Sequence, residues 1–199
     1  MVVRLNGKHN LNKVIIISTQ CFYPKIGGIE ALMTGMAEAM AKSGKEVLVL
    51  ADGIIDKTDS LKNYKIKRFN AWKPIRRTSK ANYIKNICKI KSVEAIYADS
   101  WKSAEYLKGV KVPVNVLAHG TEIQKNLNSW NFYKRNKQTR ISNSYNNADK
   151  IAANSNYTKE LLIESLSIDS KKIRVIHPGI DVYDKFIQKN TINRVKDII

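Results

Sequence analysis

Two short groups of residues in this chain have types and spacing that could do chemistry, one as a phosphate-binding turn and one through an imidazole. The first is Pro24-Lys25-Ile26-Gly27-Gly28-Ile29-Glu30, a Gly-Gly turn between the apolar run Val14-Ile15-Ile16-Ile17 and an amphipathic stretch. Adjacent glycines lack the Cβ atoms that would hold a ligand off the backbone, and they permit φ > 0. A helix starting there leaves its first N–H groups unpaired, and a phosphate fits them. Alone, such a pair equally serves as a plain sharp turn. The second group is His119-Gly120-Thr121-Glu122, an imidazole at the end of another apolar run. On its own, His119 reads as a strand-end histidine satisfied by backbone. Two further polar exits, Asn154-Ser155 and Pro178-Gly179, end later runs.

The elements that must position these groups alternate along the chain. Val14–Ser18 is a continuous apolar run, suited to a central parallel strand buried on both faces. Ile29, Leu32, Met33, Met36, Ala37 and Met40 recur at helical spacing, and Gly44 stops that helix as a C-terminal cap residue would. Strands are predicted at 46–51, 64–69, 95–98, 113–118, 150–154 and 173–177. The 64–69 segment alternates in period two, as an edge strand does. A basic segment with Lys73, Arg76, Arg77 and Lys80 leads into a helix carrying Ile84, Ile87 and Cys88 on one side and Lys85, Lys89 and Lys91 around the other. Further helices are predicted at 100–108, 131–147 and 157–166. Such alternation implies right-handed crossovers, hence an α/β fold: a doubly wound parallel sheet with helices on both faces. Ligands bind this architecture outside the carboxyl ends of its strands, where all four polar exits fall.

Bulk properties narrow the function. The 199 residues suffice for one good core, and 43% hydrophobic with 26% charged residues marks a globular chain. No apolar run is long enough to cross a bilayer and the N-terminus lacks a secretory signal, so a cytoplasmic location is expected. Cys21 and Cys88 form no CxxC pair, Cys21 reads as a small buried residue, and the three histidines lack metal-ligand spacing. Neither a metal nor a cofactor is expected. The net charge of +18 points to an anionic surface. Nucleic acid is disfavoured, because the basic residues are scattered and no recognition motif accompanies them. A dinucleotide-dependent oxidoreductase is disfavoured too, since the first turn lacks GxGxxG.

Several ordered blocks carry a resemblance. They are 22–30 (FYPKIGGIE), 44–47 (GKEV), 119–122 (HGTE), 148–159 (ADKIAANSNYTK) and 172–181 (KIRVIHPGID). Together they resemble the N-terminal domain of family 4 retaining glycosyltransferases of the GT-B fold, with phosphatidylinositol mannosyltransferases as the nearest flavour. The resemblance implies a donor, a UDP- or GDP-sugar, whose diphosphate lies near Gly27 and Gly28. It implies that His119 sits beside the transferred sugar, which reverses the reading of that residue taken alone. Tyr23, Lys25, Glu30, Gly120, Asn154 and Ser155 would border the acceptor or the cleft. Helix-dipole compensation explains Glu30, and N-capping explains Asn154 and Ser155, without any such role. The acceptor would be a lipid or a glycan.

The resemblance divides the chain into a polar tail at 1–12, the acceptor-side domain at 13–182 and a connecting segment at 183–199. The nucleotide-sugar-binding domain is expected to be absent, and the chain alone inactive. The alternative is a non-catalytic module, from a truncated or split protein, that binds acceptor, membrane or a partner chain. Contact of the 73–91 region with an anionic membrane would make the protein peripheral on its inner face, whereas the plain alternative is a solvated helix face.

Overall fold

The computed structural model describes residues 13–123 and 132–179. The tail at 1–12, the segment 183–199, the Ile180-Asp181 end of the last block and the first residue expected of the 131–147 helix lie outside the described residues.

Seven parallel strands form one sheet: β1 (Val14–Thr19), β2 (Glu46–Asp52), β3 (Lys65–Phe69), β4 (Val93–Ala98), β5 (Val114–Ala118), β6 (Lys150–Ala153) and β7 (Ile173–Val175). Their spatial order is β3-β2-β1-β4-β5-β6-β7, so β1 is an interior strand and the strand order reverses between β1 and β4. Ile15 faces Val47 on one side and Ala95 on the other. All six residues of β1 are buried, the outcome expected of an apolar run covered on both faces. The half-exposed β3 is an edge strand, as its alternation predicts.

Winding in two directions from β1 sends the helices to opposite faces. One face carries α1 (Gly28–Lys42), whose Met33 and Ala37 pack on Ile15, Ile17, Val47 and Val49. Ser43 caps α1, and Gly44 takes φ +83° just beyond it. The other face carries α2 (Lys73–Ile90), α3 (Trp101–Ala104), α4 (Phe132–Asn146) and α5 (Asn156–Leu166). Ile84, Trp101, Ile141 and Leu162 meet Ile16, Ile96, Val116 and Ile151 in that larger core.

Three elements depart from expectation. The basic segment is not a lead-in but the first turns of α2, because Arg76 and Lys80, four residues apart on one helix face, both reach Asp52 at the end of β2. The helix expected over 100–108 is a single α turn followed by the turns that Leu107 and Val110 close on Ala104 and Leu107. Strand β7 stops at Val175, although the Ile176 amide still bonds the Ala153 carbonyl at 2.9 Å.

Candidate functional site

The carboxyl ends of β1, β4, β5 and β6 meet around Asp99, which follows β4 and is 2% exposed. One oxygen, Oδ2, accepts the Gln20 amide at 2.7 Å, the Thr19 hydroxyl at 2.9 Å and the Cys21 amide at 3.3 Å. The other, Oδ1, accepts the hydroxyls of Ser100 (3.0 Å) and Ser103 (2.6 Å). A buried carboxylate with this many donors is held firmly, and it holds them in return. Asp99 thus ties the loop after β1, which leads to the glycine pair, to the end of β4. These two strands flank the reversal of strand order, the place where such sheets bind ligands.

The backbone of Asp99 carries the connection to β5. Its carbonyl accepts His119 Nε2 at 2.8 Å. A carbonyl cannot donate, so Nε2 bears the hydrogen and, in the neutral ring, Nδ1 is a lone-pair acceptor. Among the described residues Nδ1 has no protein partner. The backbone contact expected of a strand-end histidine is therefore present, and one ring nitrogen remains an open acceptor.

The loop holding His119 is braced from below. Glu122 accepts the His119 amide at 3.2 Å and the hydroxyl of the buried Tyr145. Burial, reinforced by the Glu122 carboxylate, pushes the Tyr145 phenol well above its ordinary range, so it stays a donor. Asn154 donates to the His119 carbonyl at 3.3 Å and accepts the Thr158 hydroxyl at 2.6 Å. Ser155 is the N-cap of α5, accepting the Thr158 amide at 3.1 Å, as capping alone predicts. Gly120 sits at φ +84°, and a Cβ there would lie 2.6 Å from Thr158 Oγ1. Here glycine is required twice, by conformation and by close approach.

The glycine pair behaves differently from expectation. Gly27 is the N-cap of α1 at φ 172°, extended backbone open to any residue, and neither glycine of the pair uses a left-handed conformation. What Gly27 provides is room: a Cβ would run into the Glu30 carboxylate, which folds back over it. Glu30 thereby covers the positive end of α1, where an acid is favoured. Nearby, Cys21 is half-buried rather than buried. Burial pushes its thiol up to about 11, with the Asp99 and Glu30 carboxylates adding to the effect. The carbonyl of Tyr23 accepts Arg68 Nη2 at 2.6 Å, and the Tyr23–Pro24 bond is cis.

Three of the predicted residues line two cavities, His119 and Asn154 one and Lys25 the other. A groove of about 830 Å³ runs from His119 and Asn154 down the sheet face beside α1, past Leu117 and Ala152. A smaller pocket of about 170 Å³ lies on the far side of β1 and includes Lys25, Asp52 and Arg76. Neither is lined by Tyr23, Gly27, Gly28, Glu30, Gly120 or Ser155. Sequence reasoning missed Asp99 and the Asp52–Lys80 pair. Lys80 is 3% exposed, donates to the Thr19 carbonyl at 2.7 Å and contacts the Asp52 carboxylate. Burial lowers the Lys80 pKa, opposed by Asp52. A lone aspartate at a strand end carries no local signal for either role. Among the described residues no group of three or more His, Cys, Asp or Glu could hold a metal ion.

The sequence model of Glycosyltransferase Family 4 matches residues 26–183, most of the chain. The chain belongs to glycosyltransferase family 4. Its fold is similar to that of a glycosyltransferase from Rickettsia africae, at 18% identity and TM-score 0.59, covering 94% of this chain and 50% of that one. It is similar to Anabaena HepE in complex with UDP-glucose, at 15% identity and TM-score 0.55, covering 90% and 50%. It is similar as well to UDP-GlcNAc 2-epimerase from Neisseria meningitidis bound to UDP-GlcNAc, at 16% identity and TM-score 0.55, covering 92% and 51%. These likenesses concern the fold, and the family rests on the sequence match alone. The family 4 chain spans about half the length of each of these structures. No curated protein matches it by sequence.

Proposed function

We propose that this domain is the acceptor-side half of a retaining glycosyltransferase that moves a sugar from a UDP- or GDP-sugar to a lipid or glycan. The observation that carries the reading is the Asp99 junction. It joins the loop leading to Gly27 and Gly28 with the His119 ring on one rim at the reversal of strand order. In this reading the rim takes the donor's diphosphate near the Gly27-Gly28 turn, and His119 Nδ1 accepts a hydroxyl of the transferred sugar. Tyr23, Lys25 and Glu30 border the acceptor, while Gly120, Asn154 and Ser155 shape the loop beside the sugar.

A rim is one wall of a cleft. Transfer needs the leaving diphosphate's charge stabilised and both reactants aligned. The proposal therefore includes a nucleotide-sugar-binding domain facing this rim, in the same polypeptide or in a partner, and an inactive 199-residue chain without it. Membrane association through α2 is the finer part of the reading. The helix is basic, but its Arg76 and Lys80 turn inward to Asp52, and Arg77 to Glu105, which leaves Lys73, Lys85 and Lys89 for an outer face.

The test is transfer of labelled sugar by the purified chain, alone and with the facing domain supplied. No turnover is expected alone. In the completed enzyme, His119→Ala should lower the rate roughly a hundredfold, the usual cost of one preorganised polar group. Robust transfer by the isolated chain would refute the two-sided cleft.

A further inference from the structure

The buried residues of α2 are Lys80, Ala81, Ile84 and Ile87. Positions 80, 84 and 87 form one helical stripe, so a lysine stands where an apolar side chain would complete the core. Its side chain is 4% exposed, and that of Asp52 beside it 6%. Taking an ammonium and a carboxylate out of water is costly, and apolar replacements of such pairs are often neutral or stabilising. Core packing does not account for the ion.

What the ammonium holds is the end of β1. Its Nζ donates to the Thr19 carbonyl at 2.7 Å. Thr19 is fully buried, and its hydroxyl donates to Asp99 Oδ2 at 2.9 Å. The Asp99 carbonyl in turn accepts His119 Nε2 at 2.8 Å. Asp52, Lys80, Thr19, Asp99 and His119 thus make one unbroken chain of polar contacts. It crosses the ends of β2, β1, β4 and β5, with α2 supplying the link between the first two.

The chemistry of that link matters. A hydroxyl could also meet a strand-end carbonyl, but it can donate or accept and so turn away. An ammonium only donates, and a charged donor makes roughly twice as strong a bond. Burial works against the charge on Lys80, while the carboxylates of Asp52 and Asp99 sustain it. Away from water each contact in such a chain strengthens its neighbour.

We infer that Lys80 is a positioning residue. It pins the end of β1 from beneath, and through Thr19 and Asp99 it fixes both the His119 ring and the loop leading to Gly27-Gly28. It touches neither donor nor acceptor in this assignment. The use made of that orientation rests on the acceptor-side reading above, in which His119 lies beside the transferred sugar.

Nuclear magnetic resonance of the full chain tests the assignment without any sugar transfer. The ring nitrogen shifts of His119 report its tautomer, and amide exchange at Gln20 and Cys21 reports the loop that Asp99 gathers. Lys80→Met keeps the stem and removes the donor, while Asp52 keeps Arg76 as its partner. In this variant exchange at Gln20 and Cys21 should quicken about tenfold or more relative to Ile16 and Ile151 in the core. His119 should pass from the single Nε2–H tautomer to a mixture. Thr19→Val breaks the next link and should reproduce both changes, and the double variant should be no worse than either single one. Asp52→Asn leaves the ammonium without its counter-charge and should move the same signals from the far end of the chain.

Uniform loss of protection across core and loop makes the Lys80–Asp52 pair merely structural and overturns the assignment. Failure of both Lys80→Met and Asp52→Asn to fold, followed by circular dichroism, does the same. Unchanged His119 and loop signals in a folded Lys80→Met chain also overturn it, and additive effects of the Lys80 and Thr19 changes break the proposed route. Resonance changes with no fall in kcat of the completed enzyme would uphold the positioning of the ring and count against the transferase role of His119, so the two readings fail separately.

Discussion

The ring of His119 and the carboxylate-bearing Asp99 are joined at 2.8 Å, Nε2 donating to the Asp99 carbonyl. The same residue's side chain collects donors from Thr19, Gln20 and Cys21. One buried residue therefore sets the distance between two loops that are about a hundred residues apart in sequence.

Asp99 should dominate the stability of this rim. Asp99→Ala strands buried hydroxyls and amides without an acceptor, each costing about 1–3 kcal/mol when left unmade. A total loss on the order of 2–4 kcal/mol is expected, with Asp99→Asn losing less because its amide oxygen still accepts. Urea unfolding measures both. A change under about 1 kcal/mol for the alanine variant would show that the junction is not structural.

The glycines of the rim should separate by mechanism. Gly120→Ala must adopt φ +84° and press on Thr158, costing about 2–4 kcal/mol from strain and overpacking together. Gly27→Ala needs only the flexible Glu30 side chain to swing away, so its loss should stay near or below about 1 kcal/mol. Gly28→Ala meets nothing within 4 Å and should be milder still. Thr158→Ala in the Gly120→Ala background recovers the contact part but not the conformational part. Thermal unfolding of the four variants gives the order, and a Gly27 variant worse than the Gly120 variant contradicts it.

Cys21 should be a slow nucleophile. With its thiol pushed from 9.0 up to about 11, the reactive thiolate is scarcer by roughly a hundredfold at any neutral pH. The folded form holds the proton more tightly, so this group's stabilisation is complete below pH 9.0 and disappears as pH rises through about 11. Iodoacetamide labelling at pH 8 tests the first point, and Glu30→Gln should speed it. Labelling at the rate of an unhindered thiol would contradict the burial described above.

Acid should act through Asp59. Arg68 donates to it from Nε and Nη2, both at 2.7 Å, and these bonds hold its carboxyl below the ordinary 3.8. A depressed folded value means the stabilisation is present above 3.8 and is lost as pH falls through that lower value. Asp59→Asn should flatten this part of the pH profile at a cost of about 1–3 kcal/mol near neutrality. The Tyr23 carbonyl, held by the same Arg68, should loosen with it. An unchanged acid limb in the asparagine variant would assign the effect to other carboxylates.

Local pattern was enough to read the architecture. The buried run of β1, the stripe of α1 ending at Gly44 and the alternation of β3 each follow from which side chains must leave water, and that is written in spacing along the chain. Placing the polar exits on one rim needed only the rule that parallel strands share a direction. The ordered blocks from 22 to 181 were sufficient to indicate the family.

Tertiary structure alone decided which polar groups meet. Asp99 became a junction, and Asp52 a partner for Arg76 and Lys80, because crossovers bring the ends of β1, β2 and β4 beside α2. That same packing turned a basic segment, legible only as net charge, into a pocket of defined size. It likewise assigned Gly27 the task of admitting Glu30 rather than bending the chain. Hydrophobic periodicity records burial one element at a time, whereas a charge finds its partner through contacts between elements. No stretch of sequence contains such a contact until the sheet is assembled.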